Sequence, residues 1–149
     1  MPSQDANQRN TTDCIFCRIV RQEAEASVVY EDERTIAFLD TNPIAAGHTL
    51  VVPKEHYTDI FDMESDVLQK LILATKRVAL RMRDLLVADG VNILNASGST
   101  AEQDVFHFHV HVIPRKEDDG INFNEWWATK VIRTERTDLN KLAAKLRRG

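Results

Sequence analysis

Val105-Phe-His-Phe-His-Val-His-Val-Ile113 is an apolar run in which His107, His109 and His111 alternate with hydrophobic residues. Side chains alternate between the two faces of a β-strand, so the run predicts a strand with three imidazoles on one face. The other face would then pack in a core, and its residues are Phe106, Phe108, Val110 and Val112. Five histidines in 149 residues give this spacing by chance in roughly 0.5% of sequences. The run is therefore a specific motif.

Three explanations of this histidine row are open. The imidazoles can be idle polar groups on a solvated face, although three stacked rings would repel one another once protonated. They can converge on a metal ion, because imidazoles at alternate strand positions share one face. In the third explanation one neutral histidine acts as a nucleophile, and its neighbours orient it and donate protons.

Composition narrows the class of protein. The length of 149 residues, with 43% hydrophobic and 28% charged residues, suits one globular domain. A net charge of −4 disfavours a nucleic-acid-binding surface, whereas a small anionic ligand needs only a local site. No apolar stretch approaches 18 residues, and the N-terminal sequence lacks a signal-peptide core, so we expect a cytoplasmic protein without a membrane partner. In that reducing compartment the pair Cys14 and Cys17 suggests metal binding or redox chemistry.

Hydrophobic periodicity predicts an α+β fold, with a mostly antiparallel five-stranded sheet, one long helix and a C-terminal helix. Besides the histidine strand, the predicted strands are Val28–Tyr30, Thr35–Leu39, Thr49–Val52 and Val91–Leu94, and the predicted helices are Cys14–Val20, Glu64–Val87 and Asp138–Arg148. The long helix is expected to stop at Asp89-Gly90. Residues 1–12 are predicted to be a disordered tail, 13–115 the folded domain, and 116–149 an extension with the terminal helix.

The chain resembles the histidine triad (HIT) superfamily. Its signature, His-φ-His-φ-His-φ-φ with φ hydrophobic, matches residues 107–113 in full. Further similar segments extend the resemblance from Asp13 to about Arg115: Cys14-Ile-Phe-Cys-Arg-Ile19, Val29-Tyr-Glu-Asp-Glu33, Ala37-Phe-Leu-Asp40, Pro43, Gly47-His-Thr-Leu-Val-Val-Pro-Lys54, and Asn95 before Gln103. The chain looks most like the Hint branch of nucleoside phosphoramidases, especially its bacterial-type members.

The resemblance implies a homodimer, joined through a continuous sheet and the long helix, and a pocket for a purine nucleotide. It implies that His109 attacks the α-phosphorus to give a covalent nucleotidyl-histidine, which water hydrolyses. His107 and His48 would form a hydrogen-bonded array behind His109, and His111 would contact a phosphate oxygen or the leaving group. A neutral imidazole is the attacking form, so its other nitrogen needs an acceptor. We expect this acceptor to be a carbonyl near Gly47 and His48.

Other positions match the substrate contacts of the family. Asp40 matches an acidic ribose contact, and the base pocket is matched by Ile15, Phe16, Ile19, Phe38 and Thr41. For the four apolar residues the alternative is simple core packing. Asn95 and Gln103 offer neutral amide donors for the transition state, and the alternative is that these amides stabilise loops.

Relatives with Cys-X2-Cys usually bind zinc, and the resemblance assigns this role to Cys14, Cys17, His56 and His107. Two thiolates and two imidazoles suit a closed tetrahedral structural site. The alternative is a pair of packed, reduced thiols. No organic cofactor is expected.

The chain departs from the family where Ala101-Glu-Gln-Asp104 replaces the frequent Ala-Gly-Gln-Ser. Glu102 replaces a residue that lets the backbone approach phosphate, and Asp104 replaces a hydroxyl donor with a carboxylate that repels phosphate. Two alternatives to a nucleoside phosphoramidase follow. One is a dinucleoside polyphosphate hydrolase of the Fhit type, which would need positive charge from Lys54 or Arg115. The other is a zinc-stabilised nucleotide-binding partner protein whose hydrolysis is incidental.

Overall fold

A computed structural model describes residues 13–149, so the predicted tail over 1–12 lies outside the described residues. The predicted α+β class and the antiparallel five-stranded sheet are confirmed. The strands are β1 (Val28–Glu31), β2 (Thr35–Leu39), β3 (Thr49–Pro53), β4 (Gly90–Leu94) and β5 (Val110–Arg115). The helices are α1 (Ile15–Val20), α2 (Ser65–Leu86), α3 (Phe123–Ala128) and α4 (Arg136–Leu146), and Ser99–Ala101 form a short 3₁₀ turn.

The strands follow the order β1-β2-β3-β5-β4, and each face of the sheet is covered by one helix. Alternation along β2 and β3 sends Ala37 and Val51 to the core beneath α2. Ile36, Phe38 and neighbouring residues of β3 face the other way, where they pack with α1. Because Leu50 pairs with His111 in the antiparallel register, His111 lies on the α1 face of the sheet.

The histidine run is only partly a strand, because β5 begins at Val110 and not at Val105. The preceding residues leave the sheet, and the Phe108 N–H donates instead to the Tyr57 carbonyl in the loop after β3. Phe106 is half exposed, so its predicted place in the core is wrong. At its other end β5 continues through Pro114, which has no N–H to donate. β3 starts at Thr49, opposite Val112, so Pro114 has no partner on the β3 side of the strand and is tolerated there.

The long helix ends at Leu86, one residue before the predicted Val87, and its stop is not at the expected Asp89-Gly90. Val87 takes the left-handed conformation (φ 53°) that terminates α2, and the Ala88 N–H donates to the Met82 carbonyl. Gly90 is instead the first residue of β4. The sequence pattern therefore located the helix correctly and assigned its terminating residue wrongly.

The chain divides into two compact units, one ending at Asp119 and the other spanning Gly120–Gly149. The second unit contains α3, which the sequence analysis did not predict, and α4, which begins two residues before the predicted Asp138. The side chain of Asn122 caps α3 by accepting from the Glu125 N–H at 3.0 Å. None of the described helices is both long enough and apolar enough to span a membrane.

Candidate active site and metal centre

The two cysteines and two of the histidines converge at the start of α1. Cys14 is the N-cap residue of this helix and Cys17 lies one turn later, so both sulfurs lie on the same side. The Cys17 sulfur is 3.2 Å from His56 Nδ1, and His107 Nδ1 is 3.4 Å from Cys14 Sγ and 3.5 Å from Cys17 Sγ. A tetrahedral zinc, with Zn–S of about 2.3 Å and Zn–N of about 2.0 Å, holds sulfur and nitrogen about 3.5 Å apart. All four ligand atoms lie within 4.8 Å of one another, so their spacing fits zinc.

The protonation of this cluster also suits a metal. Burial lowers the pKa of His107 to about 4, so the ring is neutral and carries one proton. That proton lies on Nε2, because Nε2 is 2.8 Å from the Pro53 carbonyl, which can only accept. The Nδ1 lone pair therefore faces the two sulfurs, as a metal ligand requires. Burial raises the pKa of Cys17 to about 12, so binding a metal there must displace the thiol proton.

A cleft of about 1020 Å³ lies beside this cluster, on the α1 face of the sheet. Every residue that the sequence assigned to the base pocket lines it, and Asp40, His109 and His111 do so too. Phe16, Ile19 and Phe38 are also core residues, so the two explanations for them are compatible. The sequence analysis missed part of the wall, namely Glu25, Ala26, Ser27, Leu39, Asn42, Leu50 and Val105. Leu50 is opposite Phe38 in the ladder and could have been found from strand pairing.

His109 is 2% exposed, and its ring has a defined orientation. Its Nδ1 is 2.7 Å from the carbonyl of His107, which can only accept, so Nδ1 carries a proton and the neutral form of this ring has its lone pair on Nε2. The expected acceptor near Gly47 and His48 is therefore wrong. The acceptor is the carbonyl of His107, two residues earlier in the chain. This contact is possible because residues 107–109 are not in a regular strand.

His48 contacts His111 and not His109. The Ile44 N–H donates to His48 Nδ1 at 3.3 Å, and burial lowers the pKa of His48, so its single proton lies on Nε2. His48 Nε2 donates this proton to His111 Nδ1 at 2.9 Å. Burial and the neighbouring His109 lower the pKa of His111, which leaves its own proton on Nε2. Asp40 Oδ2 lies 3.6 Å from His48 Nε2.

The predicted array of His107 and His48 behind His109 is accordingly wrong in its pairing. The ring of His107 faces the cysteines, and only its carbonyl contacts the ring of His109. Gly47 lies in the turn before β3, and its backbone conformation positions the next residue, His48, to contact His111. Gly47 has φ +97°, a conformation that residues with a Cβ rarely adopt, and a Cβ there would lie 2.6 Å from Leu86 Cδ1 and displace that side chain.

Both amides predicted to contact the substrate are engaged with protein atoms. Asn95 Nδ2 donates to the His109 carbonyl at 2.9 Å. Gln103 is buried, its Nε2 donates to the carbonyls of Thr58 and Val105, and its Oε1 accepts from the Gly98 N–H. The loop-stabilising alternative describes both residues, which position the backbone around His109.

The charges of the cleft are unbalanced. Lys54 pairs with Glu31 at 2.8 Å, and Arg115 pairs with Asp119 at 2.6 Å, so the two predicted basic candidates are held elsewhere. Within the described residues 13–149 no lysine or arginine lines the cleft, whereas three carboxylates do: Glu25, Asp40 and Asp104. Glu102 is exposed in the same loop as Asp104 and lies outside the cleft wall.

This fold and histidine cluster agree with the comparisons to known proteins. Residues 21–118 match the HIT domain, and the chain belongs to the HIT family. It is 34% identical over 134 residues to adenylylsulfatase HINT3 of Arabidopsis thaliana, an alignment that covers 90% of this chain and 66% of that protein.

Solved structures of the family share the fold. The crystal structure of a HIT family member from Bacillus subtilis has a TM-score of 0.80 at 33% identity and covers 91% of this chain and 96% of its own. A Zn-bound histidine triad family protein from Mycobacterium smegmatis has a TM-score of 0.73 at 40% identity, covering 76% of this chain and 82% of its own.

Proposed function

We propose that the protein is a purine-nucleotide-binding hydrolase that cleaves nucleoside 5′-phosphoramidates, or related nucleotidyl compounds, at the α-phosphate. The observation that carries this proposal is the orientation of His109, whose Nδ1 proton is held by the His107 carbonyl while Nε2 keeps its lone pair at the cleft. A neutral imidazole in this tautomer is ready to attack phosphorus. A relative named adenylylsulfatase, which acts on a nucleotidyl compound, supports the same class of reaction.

In the first step His109 Nε2 forms a bond to the α-phosphorus, and the bond from phosphorus to the leaving group breaks. The leaving group keeps the electron pair and takes a proton from water in the cleft. His111 accepts at Nδ1 from His48 Nε2 at 2.9 Å, which leaves its Nε2–H to donate a hydrogen bond to a phosphate oxygen or to the leaving group. The ring of His109 becomes cationic, and its Nδ1–H then donates more strongly to the His107 carbonyl. Water attacks the nucleotidyl group in the second step and releases a nucleoside monophosphate and free His109.

The cleft supplies the binding energy. Its volume is large enough for a nucleotide, and its apolar wall, which includes Phe16 and Phe38, suits a purine ring. Asp40 Oδ1 accepts from the Asn42 N–H at 2.8 Å, which fixes the carboxylate where it can accept from ribose hydroxyls. Thr41 lines the same end of the cleft.

Structural zinc and a homodimer belong to the same proposal. Cys14, Cys17, His56 and His107 would hold the zinc, which supplies a clamp between α1 and the segment before β5, away from the reacting atoms. The Zn-bound relative supports this assignment.

A second subunit would cover the edge strand β4, where Ile93 and Leu94 are exposed. It would also cover the exposed apolar residues of α2, which include Leu73 and Leu80.

The acidic cleft favours phosphoramidates over the first alternative, a dinucleoside polyphosphate hydrolase. A second nucleotide linked through several phosphates needs nearby cations, and Lys54 and Arg115 are paired outside the cleft. The ordered tautomers of His48, His109 and His111 favour catalysis over the second alternative, a binding protein with incidental hydrolysis.

A turnover assay tests the proposal, with adenosine 5′-phosphoramidate and diadenosine tetraphosphate as substrates. We expect hydrolysis of the first and much slower hydrolysis of the second. His109→Ala should abolish turnover while adenosine monophosphate binds within about tenfold, because a nucleophile acts mainly in the transition state. Phe106→Ala, a half-exposed neighbour outside the cleft wall, is the control and should keep its activity. Activity of His109→Ala above a few per cent would contradict the proposal.

A further inference from the structure

Asp104 is the acidic residue closest to the nucleophile in the described part of the chain. Its Oδ1 lies 3.4 Å from His109 Nε2, and its side chain is three-quarters exposed at the edge of the cleft. The Val105 N–H donates to the same oxygen at 2.8 Å and fixes the carboxylate in place. Partial burial acts to raise the pKa of Asp104, but backbone hydrogen bonds, which include the one from the Val105 N–H, outweigh it and hold this pKa below its usual value. The group is therefore an anion at neutral pH.

This anion has no hydrogen bond to gain from the attacking form of His109, which is the neutral ring with its proton on Nδ1. In that form two acceptors, Nε2 and Oδ1, face each other across 3.4 Å. The contact becomes favourable only when positive charge develops beside the carboxylate. A nucleotidylated imidazolium carries such a charge, and so does a leaving group with a cationic substituent.

The rest of the cleft does not cancel this charge. Within the described residues its wall carries Glu25 and Asp40 in addition to Asp104 and holds no lysine or arginine. A leaving group that is itself an anion, such as a phosphate chain, a sulfate or an amine bearing a carboxylate, meets unscreened repulsion next to the reacting phosphorus. A leaving amine that carries a positive charge at its far end is attracted to this carboxylate.

We propose that Asp104 selects substrates by the charge of the leaving group, favouring nucleoside phosphoramidates of cationic amines and rejecting those of anionic amines. This inference rests on the proposed function. Asp104 is thus a specificity-determining residue. Its carboxylate, which replaces the hydroxyl frequent in the family, narrows the range of leaving groups.

The test uses three adenosine 5′-phosphoramidates of similar length that differ in the charge of the amine. The amines are 1,4-diaminobutane, pentylamine and 4-aminobutanoate, which are cationic, neutral and anionic at the far end. We expect kcat/KM of the wild-type protein to be about tenfold or more higher for the cationic than for the anionic substrate, since the charge is partly exposed and screened.

Asp104→Asn should lower this ratio severalfold, because it removes the carboxylate nearest the reacting phosphorus and keeps an oxygen that can accept from the Val105 N–H. Asp104→Ser is a second variant with the same expectation. Glu102→Gln removes an equal charge from the same loop outside the cleft wall and should leave the ratio unchanged. A ratio that is unaltered in both Asp104 variants, or a wild-type ratio near one, would overturn this inference alone. No hydrolysis of any of the three substrates by the wild-type protein would overturn the proposed function and this inference with it.

Discussion

At the scale of single residues, the backbone of Val87, the residue that terminates α2, is strained. It takes φ 53° and ψ 44°, a conformation that β-branched side chains rarely adopt, and its side chain is largely exposed, so it has little packing to lose. Val87→Gly should raise the free energy of unfolding by about 1 kcal/mol, as measured by urea denaturation. Leu85→Gly, an exposed position in the last turn of the same helix, should lower it by a similar amount. A loss of stability in both variants would contradict this assignment.

The histidines show where sequence reasoning ends at this scale. The sequence identified part of the cleft wall, namely the base-pocket residues with Asp40, His109 and His111, and also the four residues of the cysteine cluster, because each matched a family position. It could not show which atom each ring contacts. That depends on residues 105–109, which leave the sheet and so turn the ring of His107 toward the cysteines and its carbonyl toward His109. The donor and acceptor pairs follow from this loop conformation and not from alternation along a strand.

At the scale of elements, we expect α1 to depend on zinc held by Cys14, Cys17, His56 and His107. A six-residue helix is too short to be stable alone, and Cys14 and Cys17 fix its first turn. We expect the purified protein, prepared without a metal-affinity tag, to contain about one zinc per chain by metal analysis. Removal of zinc by a chelator, or Cys14→Ser combined with Cys17→Ser, should lower Tm and loosen residues 13–20.

His111→Asn is the control for this prediction. This substitution removes an imidazole from the separate cluster of Asp40, His48 and His111. The four expected zinc ligands are unchanged, so the zinc content should stay the same. Hydrolysis by His109 at low temperature should survive loss of zinc, because the cluster lies beside the cleft and its residues do not line it. A zinc content near zero, with both thiols freely reactive in the folded protein, would leave the cysteines as ordinary packing.

Most elements could be predicted because they bury an apolar face with a regular period. Thr35–Leu39 matches β2 at both ends, and the long helix is one residue shorter at each end than predicted. The exceptions lack such a period. α3 is six residues long, and the cap at Asn122 was its only local signal. Residues 105–109 keep the alternation of a strand, yet tertiary hydrogen bonds to the loop after β3 decide their path.

At the scale of the whole molecule, the two edges of the sheet differ. The edge strand β4 carries two adjacent exposed apolar residues, Ile93 and Leu94, and β1 at the other edge carries Val28. If subunits join through β4 and α2, sedimentation should give a dimer at micromolar concentration, and Ile93→Asp should shift it toward monomer. Val28→Asp places the same charge on the opposite edge and should leave the dimer intact. A wild-type monomer at this concentration would contradict the assembly.

The central claim is that hydrolysis passes through a covalent bond between His109 and the α-phosphorus. The stereochemical course at phosphorus tests this directly, with an α-phosphorothioate analogue of adenosine phosphoramidate of defined configuration hydrolysed in ¹⁸O-labelled water. Attack by His109 and then by water inverts the phosphorus twice, so the account predicts overall retention of configuration. Overall inversion would mean that water attacks the substrate directly, and it would contradict the account.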